Sequence, residues 1–133
     1  MTVYLDANLT IYLIEQPPVW GHKAKTRVAA LRGNGELIAI SDLTRMECQV
    51  KPLTLGDAAL LANYAAFFSS ADVRVLPMTG AVFDQAARIR ATYKFKTPDA
   101  LHLAAAIEHG CGLFLTSDST LKKCTDIPVE ILT

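Results

Sequence analysis

Thr2-Val3-Tyr4-Leu5-Asp6 opens the chain, and Gly112-Leu113-Phe114-Leu115-Thr116-Ser117-Asp118 stands near its end. Each stretch is a short apolar run that ends on an acid, which is the pattern of a buried parallel strand leaving a sheet. Ligands bind at the carboxyl edge of open α/β sheets because side chains from separate segments meet there. We therefore expect Asp6 and Asp118 to meet at that edge.

Further apolar runs alternate with helical patterns along the chain. Strands are predicted at residues 37–40, 73–76 and 129–132, and helices at residues 7–14, 23–31, 41–50, 54–68, 79–93 and 97–110. Residues 16–21 are predicted to form a loop, and Pro52 to act as a stop signal. No hairpin dipeptide separates the strands, which favours right-handed crossovers. We predict one α/β domain over residues 1–133, a three-layer α/β/α sandwich around a four- to five-stranded, mostly parallel sheet.

Composition and charge fit a small enzyme. The chain has 133 residues, of which 51% are hydrophobic, and a mean hydropathy of +0.26, enough for one sizeable core. Its 13 basic and 13 acidic side chains cancel. The overall positive field that supplies most non-specific nucleic-acid affinity is therefore missing. Any contact with a nucleic acid has to be local and assisted by a metal.

Cysteine usage and hydropathy indicate the compartment. Cys48, Cys111 and Cys124 are odd in number and lack C-x-x-C spacing, which argues against a disulfide framework and a zinc site. The first residues lack the basic region of a signal peptide. The longest uncharged stretch, residues 58–71, is too short to span a bilayer. We expect a cytoplasmic protein with no membrane contact.

Four acidic residues are the candidates for a functional site. Glu47 and Asp99 lie on predicted helices that can reach the same edge as Asp6 and Asp118. Four convergent carboxylates repel one another unless a cation lies among them, so the pattern predicts a divalent-metal site. The structural alternatives are a helix cap for Asp6, a first-turn helix acid for Asp99 and a solvated surface residue for Glu47.

Polar neighbours of these acids can support the site. Asn8 can orient the Asp6 carboxylate or a metal-bound water. Thr116 and Ser117 place hydroxyls beside Asp118, which suits hydrogen bonds that orient metal ligands, although it also suits an ordinary turn. His102 shares a helix face with Asp99. It is more typical of a packed histidine with a backbone partner than of a metal ligand.

Four segments carry a family resemblance: Tyr4-Leu5-Asp6-Ala7-Asn8, Ser41-Asp42-Leu43-Thr44-Arg45-Met46-Glu47, Thr97-Pro98-Asp99-Ala100-Leu101-His102-Leu103-Ala104-Ala105-Ala106 and Phe114-Leu115-Thr116-Ser117-Asp118. Together they resemble a PIN-domain ribonuclease, and more narrowly the VapC-type toxins of bacterial and archaeal toxin–antitoxin pairs. Such a resemblance implies a PIN-like fold, Mg²⁺ or Mn²⁺, endonucleolytic cleavage of RNA, a small antitoxin partner and a homodimer.

The resemblance also implies roles for individual residues. Asp6, Glu47, Asp99 and Asp118 correspond to the acidic metal-binding quartet, with Asn8 and Thr116 at supporting positions. We expect Asp6 and Asp99 to bind the main metal, Asp118 to ligate it directly or through water, and Glu47 to complete the shell or position the attacking water. Many relatives carry a further acid where this chain has Thr120. This departure bears on a second metal.

Surface residues supply candidate contacts. Lys94 and Lys96, close in sequence to Asp99, can meet an RNA phosphate at the rim of the site, and Arg45 is a third candidate. Trp20 is expected beside the apolar residues Ile11, Tyr12 and Ile14. This surface can accept a helix of the antitoxin, the alternative being that Trp20 closes the core.

Two other functions remain open at this point. Asp6-Ala7-Asn8-Leu9-Thr10 resembles the nucleophile segment of haloacid-dehalogenase-like phosphotransferases, in which Asp6 would take up phosphate covalently. Asn8 counts against this alternative because phosphatases of that family normally have a second aspartate there. The other alternative is a catalytically degenerate PIN-like module that acts only by binding.

Overall fold

A computed structural model describes residues 1–133 as a five-stranded sheet with helices on both faces. The strands are β1 (Thr2–Leu5), β2 (Leu37–Ser41), β3 (Val73–Leu76), β4 (Leu113–Thr116) and β5 (Val129–Ile131). They lie in the order β3-β2-β1-β4-β5, and every neighbouring pair is parallel. The predicted α/β/α architecture is confirmed, and β1 is the central strand.

Six helices connect the strands. They are α1 (Ala7–Glu15), α2 (Trp20–Gly33), α3 (Asp42–Leu55), α4 (Ala58–Phe68), α5 (Gly80–Tyr93) and α6 (Thr97–Glu108), and a short 3₁₀ helix follows at Ser119–Lys123. Their caps follow from local chemistry: the Asp57 carboxylate accepts the N–H of Leu60, and the Thr79 hydroxyl accepts the N–H of Val82. None of the helices has the length and apolar character that a membrane span requires.

The core has two parts, one on each face of the sheet. Val3 and Leu5 pack with α1 and α2 on one face, whereas Tyr4 packs with α5 and α6 on the other. All three residues are fully buried. Because both faces of a parallel sheet are covered by helices, β1 is apolar without interruption. Asp6 follows this central strand directly and therefore lies at the middle of the carboxyl edge of the sheet.

Several boundaries differ from the sequence prediction. The helix predicted from residue 54 begins at Ala58, after the Asp57 cap, because residues 54 and 55 still belong to α3. Trp20 is the first residue of α2, so the predicted loop at residues 16–21 is shorter than expected. Pro52 lies inside α3, which continues to Leu55 and ends where Gly56 adopts a φ of 66°. Pro52 is buried there, and it lacks the N–H that other helix residues donate to the backbone. The helix therefore ends at Gly56, which adopts the left-handed backbone conformation, and not at the proline.

Candidate active site

Asp6 lies at the end of β1 and is 5% exposed. Its Oδ1 accepts the N–H of Ala7 at 2.9 Å, which caps α1. Its Oδ2 accepts the Thr116 hydroxyl at 2.7 Å and the Asn8 side-chain amide at 3.5 Å. Asp6 is thus the helix cap that the sequence suggested, and Asn8 and Thr116 both contact its carboxylate as predicted for supporting residues.

Asp118 follows β4, the strand next to β1. Its own N–H donates to the Thr116 hydroxyl oxygen at 3.1 Å, so Thr116 links the two aspartates. Its Oδ1 accepts both the backbone N–H of Thr120 at 3.0 Å and the Thr120 hydroxyl at 2.7 Å. The threonine that stands in place of a further acid therefore orients Asp118.

Asp99 lies in the first turn of α6 and is half-buried. Burial raises the pKa of its carboxyl, and the negative charges of Asp6 and Asp118 raise the pKa further. His102 and Lys96 act on the pKa of Asp99 in the opposite direction. The charges of Asp6 and Asp118 therefore act on Asp99 at the carboxyl edge of the sheet, and these three acids form the carboxylate cluster.

Glu47, on α3, is held by a histidine. Its Oε1 lies 2.6 Å from Nε2 of His102. The other ring nitrogen of His102, Nδ1, lies 2.7 Å from the Tyr4 hydroxyl, which is 2.8 Å from Oγ of Ser41. His102 is packed, with 1% exposure, as the sequence suggested. The expected backbone partner was wrong, since its two partners are side chains from β1 and α3.

The donor set fits a hard cation. Three carboxylates and the nearby Glu47 offer only oxygen ligands, which Mg²⁺ and Mn²⁺ prefer. No three His, Cys, Asp or Glu side chains are drawn together tightly enough to enclose an ion. Burial raises the pKa of Asp99 most, and a cation bound among the acids would relieve the part of the shift that comes from the charges of Asp6 and Asp118. The assignment of four ligands stays a prediction.

Of the three candidate RNA-binding residues, only Lys96 acts on the pKa of Asp99. Lys96 occupies the N-cap position of α6 without a capping hydrogen bond from its side chain. Its charge partly offsets the rise in the pKa of Asp99, so it stands at the rim of the site. Lys94 ends α5 with a φ of 63° and is exposed. Arg45 points outward from α3 and lies 3.6 Å from Asp42. Lys96 is therefore the strongest of the three candidates for a contact with RNA at the carboxylate cluster.

Trp20 lies near the acidic edge. Its ring stacks on Tyr12, with centroids 5.7 Å apart and planes inclined by 26°, and Nζ of Lys23 lies 4.8 Å from the indole centroid. The Tyr12 hydroxyl is 3.3 Å from Oγ of Ser117. Trp20 is 37% exposed, so it does not simply close the core. Ile11 and Ile14 lie on α1, the helix that carries Tyr12, and are partly buried.

Sequence reasoning missed Tyr4 and Ser41 as members of the site. Tyr4 was counted only as a strand residue and Ser41 only as a helix cap. The available signal was chemical, because a tyrosine in a fully buried strand has to find a partner for its hydroxyl. Which partner it finds depends on how α3 and α6 pack across the sheet.

Fold and site together define an α/β protein with a carboxylate cluster at the carboxyl edge of a parallel sheet. The family model of the PIN domain matches residues 3–126. The chain belongs to the PIN domain family. No curated protein matches it in sequence.

Solved structures similar to this chain share its fold over almost their full length. A chain of VapBC2 from Rickettsia felis, bound to a DNA fragment from its promoter, has a TM-score of 0.80 at 17% identity, covering 100% of both chains. DNA-bound VapBC from Salmonella typhimurium has a TM-score of 0.79 at 20% identity, covering 100% of this chain and 99% of the other. VapC20 from Mycobacterium tuberculosis, described as a sarcin-ricin loop cleaving toxin, has a TM-score of 0.71 at 19% identity, covering 91% and 93%.

Proposed function

We propose that this protein is a metal-dependent endoribonuclease and the toxin of a type II toxin–antitoxin pair. The observation that carries the proposal is geometric: at the carboxyl edge of the sheet, the Thr116 hydroxyl donates to Asp6 at 2.7 Å and accepts the N–H of Asp118 at 3.1 Å. The charges of both acids contribute to the raised pKa of Asp99. Such a cluster in a PIN domain is an oxygen-rich site for a divalent cation. The likeness to VapBC complexes and to a toxin that cleaves the sarcin-ricin loop supports the choice of RNA as substrate.

The residues that would hold Mg²⁺ or Mn²⁺ are Asp6 and Asp99, with Asp118 as a direct or water-mediated ligand and Glu47 completing the shell or positioning a water. When bound, the metal lowers the pKa of a coordinated water and stabilises charge on the phosphodiester.

The chain itself orients these groups. The N–H of Ala7 and the hydroxyl of Thr116 fix the two oxygens of Asp6, and Thr120 fixes one oxygen of Asp118. The Ser117 N–H lies 3.4 Å from Oδ1 of Asn8, which ties the Asn8 amide to the end of β4. Hydrogen bonds of this kind hold ligands in place before the cation arrives.

The positive side chains near the site are proposed to bind the RNA backbone. Lys96 stands at the start of α6, and Lys94 and Arg45 are exposed. Because the net charge is zero, such local contacts have to supply most of the electrostatic attraction for RNA. We expect weak binding of RNA that falls further with salt.

The test is RNA cleavage with added Mg²⁺ or Mn²⁺, compared with the same reaction in EDTA. Cleavage is expected only with metal, and Asp6→Asn and Asp99→Asn are expected to abolish it because each amide keeps the shape but loses the charge. Asp84→Asn, an exposed acid on α5, is the matched control and should cleave normally. Metal-independent cleavage, or full activity in both site variants at saturating Mg²⁺, contradicts the proposal.

The same experiment separates the two alternatives. A phosphotransferase of the haloacid-dehalogenase type would give a phosphoprotein at Asp6, which mass spectrometry detects. A catalytically degenerate binding module would bind RNA or a protein without cutting RNA under either condition. Only the proposed nuclease gives metal-dependent RNA fragments without a phosphoprotein.

The proposed antitoxin-binding surface consists of Trp20, Ile11, Tyr12 and Ile14. The indole of Trp20 is 37% exposed, and Ile11 and Ile14 are partly buried on α1, which packs against the helix that carries Trp20. Together these side chains can offer an apolar surface to an amphipathic helix. The surface is continuous with the acidic edge through the contact between Tyr12 and Ser117. A basic side chain of the bound partner is therefore expected to reach the carboxylates.

A homodimer is the second proposed assembly. Met46, Val50 and Leu53 lie on one face of α3 and are 55–62% exposed. This apolar stripe is separate from Trp20, and exposed apolar patches often mark protein contacts. Sedimentation should give a dimer for the wild type and a monomer for Val50→Glu. All three cysteines are buried and unpaired, as is typical of proteins in the reducing cytoplasm, and we propose that this protein acts there.

A further inference from the structure

A buried line of hydrogen bonds runs from the core to Glu47. Oγ of Ser41 lies 2.8 Å from the Tyr4 hydroxyl, which lies 2.7 Å from Nδ1 of His102, and Nε2 of His102 lies 2.6 Å from Oε1 of Glu47. Ser41 and Tyr4 are fully buried, and His102 is 1% exposed. These four residues, the Ser41–Tyr4–His102–Glu47 relay, come from β1, β2, α3 and α6.

Packing alone does not require this relay. The Tyr4 ring stacks on Phe114, with centroids 5.4 Å apart and planes inclined by 8°, and a phenylalanine would keep that contact. Burying a hydroxyl and an imidazole costs free energy unless each finds a partner. A fully paired network fixes the geometry of its members more than it adds packing. The geometry that this network fixes is that of Glu47.

The chemistry of the partners sets the direction of the last hydrogen bond. A carboxylate only accepts, so the Nε2–H of His102 donates to Oε1 of Glu47. The two hydroxyls of the relay can each donate or accept, so they hold the opposite side of the ring. His102 therefore cannot turn away from Glu47 without breaking its contact with Tyr4.

We propose that His102 and Tyr4 are positioning residues that hold Glu47 at the rim of the carboxylate cluster. His102 engages Oε1 and leaves Oε2 of Glu47 without a protein partner. Oε2 is then the oxygen available to the cation or to its bound water. This role rests on the proposed function, and it assigns to Tyr4 a task that its place in the core does not need.

The first experiment measures Mn²⁺ binding by titration calorimetry in Tyr4→Phe. Loss of one hydrogen bond behind a metal ligand weakens metal affinity by roughly 10–100-fold in typical sites. Because Tyr4 acts through His102, we expect a loss of about 10-fold. The matched control is Tyr64→Phe, which removes another fully buried hydroxyl bonded to a carboxylate, 2.5 Å from Glu15. The control should bind Mn²⁺ as the wild type does.

The second experiment replaces the histidine. A glutamine at this position would offer a side-chain N–H to Glu47, so His102→Gln should keep more Mn²⁺ affinity than His102→Ala. His109→Gln is the control, because His109 contacts the Pro77 carbonyl at 2.9 Å, at the far end of α6. Equal affinity in His102→Gln, His102→Ala and the wild type overturns the positioning role.

The third experiment tests whether Tyr4 acts through Glu47. In a Glu47→Gln background, Tyr4→Phe should cause no further loss of Mn²⁺ affinity, because the carboxylate that it positions is gone. The same loss in both backgrounds overturns the proposal and assigns Tyr4 to general stability. Unchanged Mn²⁺ binding in Tyr4→Phe overturns the positioning role but leaves the proposed nuclease standing. No Mn²⁺ binding by the wild type overturns both.

Discussion

Thr116 donates its hydroxyl to Oδ2 of Asp6 over 2.7 Å, and the same hydroxyl oxygen accepts the N–H of Asp118 at 3.1 Å. Thr116 is fully buried at the end of β4, and Asp6 follows the neighbouring strand β1. One side chain thus joins the ends of two strands and holds two acids of the site. The carboxylates are oriented by the sheet itself rather than by a mobile loop.

Thr116→Val tests this link. Valine keeps the shape of threonine but leaves the buried Asp6 oxygen and the Asp118 N–H without this partner. An unpaired buried polar group costs about 1–3 kcal/mol, so the free energy of unfolding should fall by about that amount. Urea denaturation measures the change. Thr116→Ser keeps the hydroxyl and serves as the control, and equal stability of the two variants would contradict the role given to the hydroxyl.

The sheet and the position of two acids were predictable because they depend on local pattern. An apolar run that ends on an acid predicts that β1 is buried and that Asp6 lies at the carboxyl end of the strand. Neither prediction depends on the positions of the other elements. Asp99 was predictable for a similar reason, since Pro98 places it in the first turn of a nearly apolar helix. Each of these features needs only the residues within one element.

The relay could not be predicted because it depends on packing between elements. Tyr4 and His102 are 98 positions apart, and Glu47 belongs to a third segment. Trp20 was misplaced for a local reason: the preceding prolines suggested a longer loop, whereas α2 begins directly at Trp20. Tertiary contacts decide such details, and a single sequence does not encode them in any short pattern.

The raised pKa of Asp99 makes stability depend on pH. A raised pKa means that the folded protein holds the proton more tightly than the unfolded chain does. The contribution of Asp99 to stability is therefore largest at low pH and is lost as the pH rises through its titration range. In EDTA, Asp99→Asn should be at least as stable as the wild type at pH 7, and this advantage should shrink towards about pH 4.

Urea denaturation at the two pH values checks the Asp99 prediction. Added Mn²⁺ should stabilise the wild type, because a ligand that binds only the folded state shifts the equilibrium towards it. Asp99→Asn should gain less from Mn²⁺. An advantage of Asp99→Asn that grows as the pH falls would contradict the raised pKa.

The three cysteines should behave as inert free thiols. Burial raises the pKa of the Cys48 thiol to about 12 and that of the Cys111 thiol to about 11, and the pKa of Cys124 is shifted upward as well. The reactive thiolate is therefore scarce at neutral pH. Titration with Ellman's reagent should find few reactive thiols in the folded protein and all three after denaturation without a reductant. An intramolecular disulfide detected by mass spectrometry would contradict the cytoplasmic assignment.

Trp20 should contribute to antitoxin binding and not to cleavage. The indole is 37% exposed, stacks on Tyr12 and lies outside the carboxylate cluster. Truncation of a tryptophan at the centre of an interface commonly costs more than about 1 kcal/mol, so Trp20→Ala should weaken antitoxin binding by about 1–2 kcal/mol, while metal-dependent RNA cleavage stays close to that of the wild type. Phe83→Ala, at an exposed aromatic residue on α5, is the matched control and should change neither property. Equal antitoxin affinity in Trp20→Ala would remove Trp20 from the interface, and joint loss of folding and cleavage would place it in the core.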